Sequence, residues 1–153
     1  MNFILTVKMG FFGISISIFY SGNFTIFQLN LVFQFPKNVF GPGLSIAHRG
    51  TIVVMGSTKV GANCRIHTCV NIVVKAGKLS LAPQIGDNVY IGPGAKLFGD
   101  IKIADSIAIG ANAVVNKSFL EPGITIAGVP AKKISDKGSE RLLSRGTEMV
   151  QEK

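Results

Sequence analysis

The sequence predicts an all-β fold, a three-sided prism of stacked parallel coils over residues 36–134, and three observations carry the prediction. From Ile85 onward, Ile85, Ile91, Leu97, Ile103, Ile109 and Val115 recur at intervals of six. Four residues after each of the first five stands Val89, Ala95, Ile101, Ile107 or Ala113, again small or aliphatic. Upstream, Val54, Val60, Ile66 and Ile72 keep the same interval, with Cys64 and Val70 in the four-on slot. Six matches neither the 3.6-residue turn of a helix nor the two-residue alternation of a strand. It fits a short strand plus a turn, three such units closing a triangular coil of about eighteen residues. Stacked coils, about 4.8 Å apart, bury the leading aliphatics in one shared core. A single coil cannot bury its own row, so several must stack, and residues 36–134 supply roughly five.

Taken in chain order, the first segment is residues 1–35. They hold one charged residue, Lys8, and nine of the eleven phenylalanines fall in residues 1–40. The apolar run Met9–Tyr20 is too short to cross a bilayer as a helix. Its flanks lack the charge and cleavage pattern of a secretory signal. "GISISIFY" and "FTIFQLNLVFQF" both alternate as half-buried strands do. This segment is expected to be an atypical cap on the prism or the remnant of a terminus, with contact to a membrane surface as the weaker alternative. The coils follow over residues 36–134. Within them Ile72 and Ile85 are thirteen apart, so a loop leaves the prism between about Val73 and Gln84. Loops on a rigid scaffold are where ligand contacts concentrate. Residues 135–153 form a tail in which Ser139 and Arg141–Leu143 have helical spacing that Gly146 interrupts, predicting a short C-terminal helix.

Composition narrows the function classes. The 153 residues are 47% hydrophobic and 16% charged, enough apolar surface for one continuous core and too little charge for a disordered chain. The net charge is +8. Residues 36–134 carry eleven basic and four acidic residues, whereas the tail is balanced at four of each. A basic core suits an anionic ligand. Aromatic residues are few there and none alternate with basic ones, which argues against nucleic acid. Cys64 and Cys69 match no zinc spacing and are too few for a disulfide scaffold. They read as reduced packing residues of a cytoplasmic protein, and no metal site is expected.

Two stretches define a family resemblance. "IGDNVYIGPGAKLFGDIKIADSIAIGANAVVNKSF" followed by "IAGVPAKKI" resembles the hexapeptide-repeat acyltransferases, and "GPGLSIAHRGTIVV" with "NCRIHTCVNI" resembles their serine acetyltransferase-like branch. The resemblance covers about residues 36–135. It implies a left-handed parallel β-helix, a homotrimer with active sites in the grooves between prisms, and acetyl transfer from acetyl-CoA to a hydroxyl. The family's catalytic histidine falls on His48. An alcohol is a poor nucleophile at neutral pH, and an imidazole titrates where a general base is needed. His67 offers a second imidazole. For acetyl-CoA the resemblance implies Gly92 and Ala111, where bare backbone would let the pantetheine arm lie flat, and Lys117 and Lys132 beside the CoA phosphates.

The chain departs from that branch at specific positions. The acid expected before the catalytic histidine is Ala47, and the basic residue and second histidine expected before Pro83 are Leu81 and Ala82. The upstream acid that would orient the histidine is replaced by Phe33. The groups that would hold a free amino acid are therefore missing, so the hydroxyl acceptor is expected to be serine or a sugar of a polysaccharide precursor. The alternative is a non-catalytic β-helix scaffold.

Overall fold

A computed structural model describes residues 36–143, 146 and 147, together with the backbone of residues 5–8, 15–18 and 33–34. Near the start, β1 (Leu5–Lys8) pairs antiparallel with β2 (Ser15–Ile18), the second falling in the alternating "GISISIFY". The cap expected over residues 1–35 lies otherwise outside the described residues, as does most of "FTIFQLNLVFQF".

The repeat then produces fourteen short strands: β3 (Phe33–Gln34), β4 (Ser45–Ile46), β5 (Ile52–Val54), β6 (Lys59–Val60), β7 (Arg65–Ile66), β8 (Asn71–Val73), β9 (Gln84–Ile85), β10 (Tyr90–Ile91), β11 (Lys96–Phe98), β12 (Lys102–Ile103), β13 (Ala108–Ile109), β14 (Val114–Val115), β15 (Thr125–Ala127) and β16 (Lys132–Ser135). Strands of successive coils stack on one another in three sheets. One sheet runs β4-β7-β10-β13-β15-β16, a second runs β3-β5-β8-β11-β14, and a third runs β6-β9-β12. Single bridges from Phe40 to Val60 and from Ile103 to Phe119 extend the third sheet by a coil at each end. All neighbours are parallel except β16, which folds back antiparallel on β15. The chain is therefore a three-sided parallel β-helix.

The six-residue rhythm defines the core. Every leading aliphatic from Val54 to Val115 is buried, and so are the four-on residues Cys64, Val70, Val89, Ala95, Ile101, Ile107 and Ala113, with Thr58 in the slot after Val54. Parallel register superposes the leading aliphatics of successive coils, as in the column Ile46, Ile66, Ile91, Ile109, Ile126. Cys64 sits in this interior, its thiol directed at the Gly86 carbonyl at 3.3 Å, and burial pushes its pKa up to about 12. A thiol so held is packing material and no nucleophile.

The corners are made by residues that tolerate a left-handed backbone. Asn63, Asn88 and Ser106 occupy one corner in successive coils with φ of 54°, 55° and 58°. Asparagine and serine side chains can bond locally there, which offsets part of the cost. Aspartates tie this corner together. Asp87 accepts a hydrogen bond from the Ala62 amide at 2.7 Å, and Asp105 accepts one from the Asp87 amide at 2.8 Å. The expected loop leaves between β8 and β9 and folds back on the prism, with Ser57 Oγ donating to the Leu79 carbonyl at 2.5 Å.

The tail departs from expectation. Among the described residues of the tail, a single 3-10 turn, Glu140–Leu142, stands where a short C-terminal helix is expected. Ser139 does not cap it. Ser139 is instead fully buried, its amide donating to the Ser106 carbonyl at 3.0 Å and its hydroxyl to the Asn88 carbonyl at 2.5 Å. Further on, the Thr147 amide and hydroxyl both donate to Asn63 Oδ1, at 3.1 and 2.8 Å. The tail thus runs back along the asparagine corner and is held by three successive coils. Helical propensity lost to these fixed acceptors because each satisfies a buried group. Replacing Ser139 with alanine is expected to destabilise the fold by about 1–3 kcal/mol in urea unfolding, since it strips a buried carbonyl of its donor. A change within experimental error would show that the strap carries no stability.

Candidate active site

The sheet opposite the loop presents the ionisable cluster. β4, β7 and β10 stack in register, so residues flanking their aliphatics fall in rows one coil apart. His67 follows Ile66 directly and is held by its amide, which donates to the Ile91 carbonyl at 3.1 Å. His48 leaves the coil below, just after Ala47, whose amide donates to the Ile66 carbonyl at 3.1 Å. Tyr90 stands one coil above, paired across the ladder with Arg65.

The three rings form one group. The centroids of His48 and His67 are 5.9 Å apart, with planes tilted by 56°. Tyr90 meets His67 edge to face at 5.0 Å. The environments of the two histidines differ sharply. His48 is exposed, whereas His67 is half-buried. Burial holds His67 below the usual imidazole range, and the Arg65 guanidinium and His48 push the same way. The Nε2 of His67 and the Nε of Arg65 are both buried with no hydrogen-bond partner among the described residues.

The other expected contact residues lie further up the prism. Gly92 is buried, and a Cβ there would stand 2.8 Å from both the Ala111 amide nitrogen and the Ile109 carbonyl oxygen. Its missing side chain is thus accounted for by the close approach of the next coil. Ala111 is exposed at the same corner one coil above. Lys117 follows β14 and projects over the Phe119 ring at 5.4 Å. Lys132 opens β16, opposite Ala127, and is exposed. Its neighbour Lys133 is engaged by Glu121 and Asp136, each at 2.6 Å, and those carboxylates raise its pKa. The structure therefore brings His48 and His67 together and sets Gly92 against Ala111, and it keeps both lysines on later coils. Among the described residues no three His, Cys, Asp or Glu side chains group to hold a metal ion, and no helix is long and apolar enough to cross a membrane.

Sequence reasoning missed Tyr90 and Arg65. Each stands immediately before a leading aliphatic, in an outward slot of the same sheet. The signal was available in the repeat: positions one before Ile66 and one before Ile91 must face out side by side.

The described residues form a repeat-built parallel prism that carries two neighbouring imidazoles on one flank. Comparison with known proteins narrows this. The chain is 37% identical over 102 residues to the serine acetyltransferase of Mycobacterium tuberculosis, covering 65% of this chain and 43% of that one. It is equally similar over 102 residues to that of Helicobacter pylori, covering 58% of the relative. Among solved structures, serine acetyltransferase from Brucella abortus in complex with coenzyme A superposes with a TM-score of 0.61 at 34% identity, over 65% of this chain and 40% of that one. Serine acetyltransferase from Neisseria gonorrhoeae in complex with serine gives 0.56 at 37% identity, over 61% of this chain and 38% of that one. No family profile matches the chain. The chain spans about half the length of the relatives it matches. It resembles the serine acetyltransferases through its repeat region, and its fold is a left-handed parallel β-helix.

Proposed function

We propose that this chain is an acetyl-CoA-dependent O-acetyltransferase that acts on the hydroxyl of serine or of a sugar, with residues 36–134 as the transferase unit. The observation that carries this reading is the exposed His48 beside the half-buried His67, at the place in the repeat where the resemblance sets the base. His48 takes the proton from the acceptor hydroxyl as its oxygen attacks the thioester carbonyl. Backbone amides at the corner steady the oxyanion, the C–S bond breaks, and the proton passes from His48 to the departing CoA thiolate. No covalent acyl-enzyme is needed, in keeping with the buried Cys64.

The similarity to an enzyme crystallised with coenzyme A supports acetyl-CoA as donor, and the similarity to one crystallised with serine supports serine as an acceptor. Ala47, Leu81 and Ala82, which lack the groups that would hold a free amino acid, make a sugar hydroxyl at least as suitable at the same position. The reading sets Ala111 beside the pantetheine arm, Lys117 and Lys132 near the phosphates, a homotrimer that shares its grooves, and a cytoplasmic location. Incubation with acetyl-CoA and either serine or a panel of sugars, with mass spectrometry of the products, tests it. Acetylated serine or sugar is expected. Absence of any acetylated product, with acetyl-CoA intact, would favour a non-catalytic scaffold. Lys132→Ala should weaken CoA more than dephospho-CoA if it meets the 3′-phosphate, and equal losses in calorimetry would remove that assignment.

A further inference from the structure

The two histidines have unequal surroundings, and Arg65 and Tyr90 help to set those of His67. Arg65 shares β7 with the approach to His67 and is charged at every pH of interest. Tyr90 lays its ring edge to face against His67 from the coil above. Tyrosine covers that ring and shields it from water, and arginine places a fixed positive charge beside it. On the open side stands His48, 5.9 Å away.

We propose that Arg65 and Tyr90 are positioning residues that hold the His67 ring fixed beside His48, leaving His48 as the ring open to substrate. This rests on the acetyl-transfer reading for its purpose, though its measurement does not. Two imidazoles this close to each other and to a guanidinium cannot both be charged cheaply. When paired groups have divided environments, the environment assigns the roles. The covered ring stays neutral, and the exposed ring exchanges protons with substrate. In the reaction the proton leaves the acceptor hydroxyl for His48 and goes on to the CoA thiolate, with His67 neutral throughout. A charged His67 would oppose that transfer, because His48 would have to become an imidazolium against a second like charge. The neutral ring thus spares His48 a second like charge as it takes the proton.

The groups that act on His67 agree with this: His48 after β4, Arg65 on its own strand and Tyr90 on β10. The charges that act on it are those of Arg65 and His48, and no carboxylate is among them.

The sequence holds only two histidines, so proton NMR of the full chain shows two imidazole titrations, assigned by His48→Ala and His67→Gln. The His67 signal is expected to titrate below the ordinary midpoint of about 6.5. Arg65→Gln should move that midpoint up while Arg65→Lys leaves it low. Tyr90→Ala should move it up while Tyr90→Phe leaves it low. In Arg65→Gln the pH profile of kcat/KM should gain an inflection from His67. A His67 midpoint at or above 6.5 in the wild type would overturn the proposal without any variant. So would an Arg65→Gln chain of unchanged circular dichroism whose His67 midpoint has not moved. Should either aggressive variant fail to fold, the exposed His48→Ala change serves instead: loss of the neighbouring like charge must raise the His67 midpoint, and no rise refutes the coupling. If the titrations behave as stated and no acceptor is acetylated, the transferase reading fails and the electrostatic arrangement stands.

Discussion

Replacing His48 with alanine is expected to slow acetyl transfer by roughly 10²- to 10⁴-fold, the contribution of a positioned general base. The reason is local. His48 is the exposed member of the imidazole pair, so it is open to an approaching hydroxyl, and its ring is replaced without opening a cavity. Binding of CoA should survive, because the residues assigned to the donor lie on later coils. The measurement is thiol release at saturating acetyl-CoA with the better acceptor. A loss in kcat with little change in the KM for acetyl-CoA is the expected pattern, since the base acts in the transition state and not in donor binding. An unchanged rate would mean that His48 carries no proton.

The second large effect concerns the column. Ile91→Ala is expected to destabilise the fold by about 2–5 kcal/mol, as for a fully buried aliphatic cut to a methyl. Ile91 has no exposed surface and lies in register between Ile66 and Ile109. It also follows Tyr90 and precedes Gly92, where backbone of the next coil leaves no room for adjustment. The cavity therefore cannot collapse easily. Leu79→Ala, in the loop and 71% exposed, should by contrast leave the urea midpoint nearly unchanged. Similar losses for both would contradict a core built from the six-residue series.

These two substitutions also mark what the sequence made readable. Ile91 was legible because a leading aliphatic must face the prism interior whatever lies outside it. The loop between β8 and β9 was legible for the same reason, as one register slip in an otherwise strict period. The tail was not. Ser139 is fixed by the Asn88 and Ser106 carbonyls, acceptors supplied by coils 51 and 33 residues away, and no local pattern announces such partners. His48 was located through resemblance, and the period alone says nothing of its chemistry. Tyr90 and Arg65 were not legible as site residues because the period alone marks them only as outward-facing, and the ring cluster is completed across coils. The hand of the coil also came from resemblance, since a six-residue period is compatible with either.

If this prism presents a surface for coenzyme A, the ligand must stabilise the folded chain. The most direct measurement is the thermal unfolding midpoint of the full chain with and without CoA. Ligand at 100 times its dissociation constant should add about 2.7 kcal/mol of stability, giving a midpoint that climbs steadily with CoA concentration. A midpoint that stays flat across millimolar CoA would contradict the account and leave a β-helix with no acyl donor.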